Sequence, residues 1–429
     1  MKLIYVVIDG MGDLPISELG DRTPLGAADT PNMDRLADRA IMGLMYTLGK
    51  GMAPESDVAV VSILGYDPFK YDERRGISEA VGAGLIVKDG DLALRCNFAT
   101  KGSGNIILDR RVGRNLSTEE ATELARAISE QLALESYPAT FEFKNTVGHR
   151  AVLVIRSKGK RLSGEISNTD PAYTRIHGAG VAEPKPKMIV RKCKPLQETE
   201  EAQISARLVN EFTEKSTVIL RGCKINKTRA SEGKLEANLV LSRDAGSALP
   251  GFFPINEKYN VRFVCLADMP AERGIAKLCG MNAVDLPPPS GHIESDCKLR
   301  VEKLKEVLPS YDCFYIHIKG PDEPSHDGNF RLKTSMIASI DKHFFGPILN
   351  DVGPEQFVIC ITADHSTPCK LRAHTDDPVP LLIWGDGIEG DGLSKFSEEE
   401  CGKGSLGTID QGSKLMPQLM VLLKKRQVN

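Results

Sequence analysis

No apolar run in this chain approaches the ~18 residues of a membrane-spanning helix, so a membrane span is not expected. The first apolar stretch, after Lys2, is too short for a signal peptide and stops at Asp9. Long runs of one charge are missing too. With 55 Lys and Arg against 58 Asp and Glu the formal net charge is −3, so neither a nucleic acid nor an anionic membrane surface is an expected partner. The ten cysteines include no Cys-x-x-Cys pair, and Cys265, Cys313 and Cys360 fall inside apolar strand-like runs. Free, buried thiols in a reducing cytoplasm are expected rather than a disulfide framework. There is no complete Walker A loop, and Gly82-Ala83-Gly84 lacks the third glycine of a dinucleotide fingerprint. Internal repeats and low-complexity segments are also absent.

What is present is a chain of 429 residues, long enough for two or three domains, with an ordinary globular hydrophobic content of 41%. Three near-continuous apolar runs, residues 3–8, 313–318 and 357–361, have the length and composition of strands buried on both faces. The first ends at Asp9. The second opens into a loop carrying Asp322 and His326. The third is followed by Ala363-Asp364-His365, and nine residues on comes His374, ahead of another strand-like segment, 377–385. Parallel strands put their carboxyl ends on one edge of a sheet, where ligands bind in open α/β folds. Asp9, Asp322, His326, Asp364, His365 and His374 can therefore converge. That is more than one tetrahedral site needs, and a pair of cations about 3.5–4 Å apart would use them. Without cations, carboxylates buried together would repel and shift upward in pKa. For the third run alone, a charged surface turn is the competing reading.

A Gly/Pro-rich loop, 51–55, delivers Ser56 to the first turn of an apolar helix. Orphan N–H groups and the positive dipole end favour an anion there, which suits a serine attacking a phosphate. A helix N-cap is the plainer role for the same serine, and on spacing alone both stay open. Upstream, Thr30-Pro31 marks a helix start. From about residue 92 the pattern changes to hairpins around one amphipathic helix, which opens at Ser117 with a capping box and runs to about Leu134. This reads as a small α+β domain, 92–185, inserted into a discontinuous α/β core, 1–91 and 186–429. A Pro- and Lys-rich passage, 184–195, would be the return linker. Helix 198–215 and strand-like runs 217–221, 237–242 and 261–266 would restore the core, and 415–425 would close it as a helix. The insert carries Arg110, Arg111, Arg114 and Arg175 near turns, beside Asp170. Arginine suits bidentate capture of carboxylate or phosphate, although any one of these taken singly is better read as a solvated surface residue.

Asp9-Gly10-Met11-Gly12-Asp13, the Ser56-Asp57 loop running to Leu64-Gly65-Tyr66-Asp67-Pro68, Asp322-x-x-x-His326, Thr362-Ala363-Asp364-His365-Ser366-Thr367-Pro368 and His374-Thr375-Asp376-Asp377-Pro378 together resemble the alkaline-phosphatase-like metalloenzymes. Residues 95–100, 109–114 and 274–281 narrow the resemblance to the archaeal-type cofactor-independent phosphoglycerate mutases, over nearly the whole length. The resemblance implies an α/β alkaline-phosphatase-like core, with a mostly parallel sheet flanked by helices and a smaller inserted α+β domain. It implies an isomerase of glycolysis and gluconeogenesis that interconverts 3- and 2-phosphoglycerate through a phosphoserine at Ser56, without 2,3-bisphosphoglycerate. Two divalent cations are implied, manganese first, with cobalt, zinc and magnesium open. Asp9, Ser56, Asp364 and His365 would hold one, and Asp322, His326 and His374 the other. Arg110, Arg111, Arg114, Asp170, Arg175 and Arg243 would bind the phosphoglycerate. Assembly stays open between a monomer and a homo-oligomer.

Two departures from the family pattern stand out. Pro54-Glu55-Ser56 has Glu where Gly is expected, and Arg74-Arg75-Gly76-Ile77-Ser78-Glu79-Ala80 replaces a Gly-Arg-Gly-Pro-Phe-Glu-Ala-like stretch. A related metal-dependent hydrolase or phosphotransferase on another small phosphorylated metabolite is the alternative. A metal-stabilised binding protein without turnover is a third, against which the full ligand set and the intact Ser56 weigh.

Overall fold

Strands form where the apolar runs are. The computed structural model describes residues 1–71, 74–176, 179–183, 185–353 and 356–425. In chain order β1 (Lys2–Ile8) and β2 (Ile41–Met45) come first. Then follow β3 (Leu92–Lys101), β4 (Ile107–Asp109), β5 (Ala139–Asn145), β6 (Arg150–Ser157), β7 (Tyr173–Ile176), β8 (Ala179–Ala182) and β9 (Leu239–Gly246). The last are β10 (Phe263–Leu266), β11 (Asn282–Ala283), β12 (Cys313–Ile318), β13 (Phe357–Thr362), β14 (Val379–Gly385) and β15 (Gly407–Ile409).

The chain divides into two compact units, Met1–Tyr71 with Phe252–Asn429, and Asp72–Gly251. The first is built on an eight-stranded sheet of order β11-β10-β12-β1-β13-β14-β2-β15. β1 lies between β12 and β13 and is parallel to both, in registers that put Ile8 beside Ile318 and Val7 beside Thr362. β10 and β11 continue the parallel half. β14 is antiparallel to β13 and to β2, so the sheet is mixed on that side. Every residue of β12, β13 and β14 is buried. Helices cover both faces of such strands, which is why they read as continuous apolar runs. Burying a Val, Leu, Ile or Phe stabilises the fold by roughly 1.5–3 kcal/mol, so these runs hold the sheet edge that carries the site.

The second unit is antiparallel. β3 pairs with β4, β6 and β9, and β5 pairs with β6. Helices Thr118–Gln131 and Glu200–Gly222 pack over this sheet through Leu124, Ile128, Leu208 and Phe212. The capping box at Ser117 is present in full.

The expected boundaries at 92 and 185 are therefore corrected to 72 and 251. Residues 198–246 belong with the second unit because β9 completes its sheet beside β3. Residues 217–221 are no strand but the last turns of helix Glu200–Gly222. Leu208, Phe212, Ser216 and Leu220 recur on its buried face while Val218 is exposed, a period of about 3.6 that β-branched content had masked. The passage after residue 184 is no linker either. Ile107 N donates to Met188 O at 2.8 Å and Val190 N to Asn105 O at 2.9 Å, tying it to the β4 edge. Pro184 and the side chain of Arg175 lie outside the described residues.

Candidate functional site

Three parallel strands, β12, β1 and β13, deliver most of the polar side chains to one sheet edge. Asp9 follows β1, Asp364 and His365 follow β13, and a short helix, Asp322–His326, follows β12. Close approach of these loops needs glycine. A Cβ on Gly10, whose φ is +60°, would lie 2.8 Å from the Asp322 side chain, and one on Gly12 would lie 2.2 Å from Ser366 Oγ.

Two groups of donor atoms result. In the first, His365 Nε2 lies 3.5 Å from Asp9 Oδ1 and 3.4 Å from Asp364 Oδ2, and Ser56 Oγ lies 3.1 Å from the same nitrogen. In the second, Asp322 Oδ2 is 3.4 Å from His326 Nε2, Asp322 Oδ1 is 3.5 Å from His374 Nε2, and the two Nε2 atoms are 3.2 Å apart. The groups adjoin through the rings of His365 and His374, stacked at 3.7 Å. All seven donors expected from the sequence thus fall into two sets. Ser56 is the first residue of helix Ser56–Ile63, and Glu55 holds the N-cap position. Its hydroxyl faces His365 rather than a helix N–H, so the plain capping reading fails.

The chemistry of both sets suits a divalent cation. His326 Nδ1 donates to Arg372 O at 3.0 Å and His374 Nδ1 to Pro54 O at 2.8 Å. A carbonyl only accepts, so each imidazole carries a proton on Nδ1, and in its neutral form it turns an Nε2 lone pair toward its neighbours. Asp9 Oδ1 and Asp364 Oδ2 are buried with no hydrogen-bond donor. Asp364 Oδ1 accepts from Gly10 N and His365 N, both at 3.0 Å, which leaves Oδ2 aimed into the group. Orphaned buried carboxylate oxygens facing imidazole lone pairs are what a cation would satisfy.

The charges of the two groups shift one another's titration. Burial and then the Asp9 charge push the Asp364 carboxyl well above the usual range. Burial is the largest single influence on Asp9 and raises it, but the Lys319 ammonium, 3.2 Å from Asp9 Oδ2, together with His317 and His365 holds Asp9 low. Burial and then His374 lower His365 to about 3. Burial would lower His374, but its bond and charge pairing with Asp322 raise it to about 9, so a cation bound there would have to displace the Nε2 proton.

Sequence reasoning missed three neighbours. Lys319, just past β12, bridges Asp9 and Glu272 Oε1, the latter at 2.6 Å. His317 is buried in β12, with Nδ1 2.9 Å from Tyr315 OH and Nε2 3.7 Å from Asp364 Oδ2. Thr367 lies between Asp322 and His365. His317 and Lys319 stand at the carboxyl end of a run whose neighbours Asp322 and His326 were singled out, so proximity was the available signal.

The substrate-binding candidates lie in the second unit. Asp170 is fully buried and accepts from Arg110 Nε at 2.8 Å and Arg243 Nη1 at 3.2 Å. Both guanidinium groups lie over the Tyr173 ring, at 5.1 and 4.8 Å. Among the described residues neither Arg111 nor Arg114 forms an ion pair. Burial, then the charges of Arg150, Arg111, Arg243 and Arg114, depress His149 to about 3. Arg95 and Arg75 converge on Glu79, each at 2.9 Å, within the stretch that departs from the family pattern.

A family model described as 2,3-bisphosphoglycerate-independent phosphoglycerate mutase matches residues 37–226. A protein of that name from Aeropyrum pernix is 43% identical over 99% of this chain and 100% of its own length. Among solved structures, the PH0037 protein from Pyrococcus horikoshii is 31% identical over 99% of this chain and 97% of its own, with a TM-score of 0.78. The cofactor-independent phosphoglycerate mutase from Thermoplasma acidophilum is 32% identical over 99% of this chain and 100% of its own, with a TM-score of 0.64. With sequence likeness and fold running together over almost the full length, the chain belongs to the 2,3-bisphosphoglycerate-independent phosphoglycerate mutase family.

Proposed function

We propose that this chain is an isomerase that interconverts 3-phosphoglycerate and 2-phosphoglycerate, passing the phosphoryl group through Ser56 without 2,3-bisphosphoglycerate. The observation that carries the proposal is Ser56 Oγ at the head of a helix, 3.1 Å from His365 Nε2 and inside a group of cation-type donors. Asp9, Ser56, Asp364 and His365 would hold one divalent cation and Asp322, His326 and His374 the other, with manganese our first choice ahead of cobalt, zinc and magnesium. Such ions supply charge to phosphoryl oxygens and ease loss of a hydroxyl proton.

Ser56 Oγ gives up its proton and bonds to phosphorus as the bond from phosphorus to the C3 oxygen breaks, and that oxygen takes up a proton, so the proton count is unchanged. The C2 hydroxyl then loses its proton, attacks the phosphoserine and releases Ser56. No water is consumed, and water reaching the phosphoserine would turn the reaction into hydrolysis. The first-turn N–H groups of helix Ser56–Ile63 favour the incoming anion. We assign substrate binding to the second unit. Arg110 and Arg243, locked to Asp170, form a rigid frame there, and Arg111 and Arg114 remain to meet an anionic group. Among the described residues none of the ten cysteines forms a disulfide and only Cys223 is partly exposed, which supports a reducing cytoplasm and a place in glycolysis and gluconeogenesis. Among the described residues no helix is long and apolar enough to cross a membrane.

A coupled assay with 3-phosphoglycerate, with and without added 2,3-bisphosphoglycerate, tests the reading. Equal turnover in both, and a phosphate on the Ser56 peptide in samples quenched during turnover, are expected. Release of inorganic phosphate alone would make the chain a hydrolase.

A further inference from the structure

Among the described residues, Thr367 is the one side chain outside the two donor groups that hydrogen-bonds to both. Its Oγ1 donates to Asp322 Oδ1 at 2.8 Å and lies 2.9 Å from His365 Nδ1. A hydroxyl has one proton, and the carboxylate takes it, so His365 Nδ1 must be the donor in the second bond. That fixes the His365 tautomer and turns its Nε2 lone pair toward Asp9, Asp364 and Ser56. The same hydroxyl orients Asp322 between His326 and His374.

Thr367 is itself held firmly. It is fully buried. Its N–H donates to Gly12 O at 3.0 Å, and its carbonyl accepts from Lys333 Nζ at 3.1 Å. Lys333 Nζ also donates to Gly12 O at 2.9 Å and Asp13 Oδ2 at 2.8 Å. The residue is thus pinned to the loop after β1, which carries Asp9, while its side chain reaches the helix after β12 and the imidazole after β13. Other imidazole donors are oriented by backbone carbonyls, and each of those serves one group only.

We infer that Thr367 is a positioning residue that couples the two cation sites: one hydroxyl fixes a donor in each, so its loss weakens both. The inference rests on the two-cation reading above. Its test is calorimetric titration of Mn²⁺ into the chelator-stripped full chain, comparing wild type, Thr367→Val and Thr367→Ser, with circular dichroism to confirm folding. Both binding steps should weaken in Thr367→Val by roughly 10–100-fold, the usual cost of losing a partner behind a ligand. Thr367→Ser, which keeps the hydroxyl, should restore both. A threonine that serves only packing would lower the melting temperature and leave the Mn²⁺ affinities of the folded protein unchanged, and that result would overturn the inference. So would weakening confined to one step, or a serine variant as weak as valine. If the valine variant does not fold, Thr367→Ala, which adds no bulk, is read by the same criterion. Wild type binding no Mn²⁺ would overturn the two-cation reading and this inference with it. Two intact steps in the folded variant would overturn this inference alone.

Discussion

Ser56 carries a single proton, and its oxygen lies 3.1 Å from His365 Nε2, a nitrogen whose lone pair is free because Nδ1 donates to Thr367. Glu55 already occupies the N-cap position, so the serine adds nothing as a cap. Ser56→Ala is therefore expected to remove turnover by several orders of magnitude. It should also change stability by less than the ~0.5–2 kcal/mol of a lost cap. Steady-state rates and thermal melts on the same preparation decide it, since near wild-type turnover would dismiss the phosphoserine. At this scale six of the proposed donors were legible because each stands just past an apolar run or in the loop that follows one, and Ser56 because a Gly/Pro-rich loop sets it at the head of an apolar helix. Lys319 was not, because a cation beside a cation site has the wrong sign until Asp9 and Glu272 are seen on either side of it. Thr367 was not, because a neutral hydroxyl announces nothing until both of its bonds are in view.

Loops, rather than strands, need special support at the element scale, and Lys333 of helix Phe330–Ile340 provides it. Its buried ammonium binds Gly12 O, Asp13 Oδ2 and Thr367 O, joining the loops after β1 and β13. Lys333→Met leaves the Asp13 carboxylate buried without its cation, which costs about 3–5 kcal/mol. Chemical denaturation should show that loss, and adding Asp13→Asn should recover part of it. An unchanged midpoint would mean the clamp is idle. Nearby, Glu398 accepts from Asp13 N and Thr23 Oγ1, and burial, against the Thr23 bond, pushes its carboxyl up to about 7. Because the folded pKa exceeds the unfolded value of about 4.3, the folded state holds this proton more tightly. That stabilisation is complete below about pH 4.3 and is lost as pH rises through about 7. Melting temperature should fall from about pH 5 to about pH 8 in wild type relative to Glu398→Gln, and parallel curves would refute the assignment. Elements with one unbroken local signal were readable in advance: the continuous apolar runs of β1, β12 and β13, and the capping box at Ser117. Helix Glu200–Gly222 was cut short because Thr217, Val218 and Ile219 suit a strand by composition, whereas their burial follows the helical period.

For the whole molecule, the α/β class was legible from buried runs ending in carboxylates, but the division into units was not. That division depends on β9 pairing with β3 across more than a hundred residues of chain, and no local pattern reports such a pairing. The division has a measurable consequence. All seven proposed cation donors lie in Met1–Tyr71 and Phe252–Asn429, and none lies in Asp72–Gly251. Chelation should abolish turnover, and Mn²⁺ or another divalent ion should restore it. A ligand that binds only the folded state stabilises it by about 2.7 kcal/mol at a hundred times its Kd. That stabilisation should appear where the donors are. Hydrogen exchange of the stripped chain, with and without Mn²⁺, should therefore show added protection in peptides from β1, β12 and β13. Peptides from β3, β5, β6 and β9 should be little changed, because their sheet supplies no donor. Equal gains in both sets would mean that the two units open as one cooperative body, and the cation sites would then stabilise the whole chain rather than the unit that builds them.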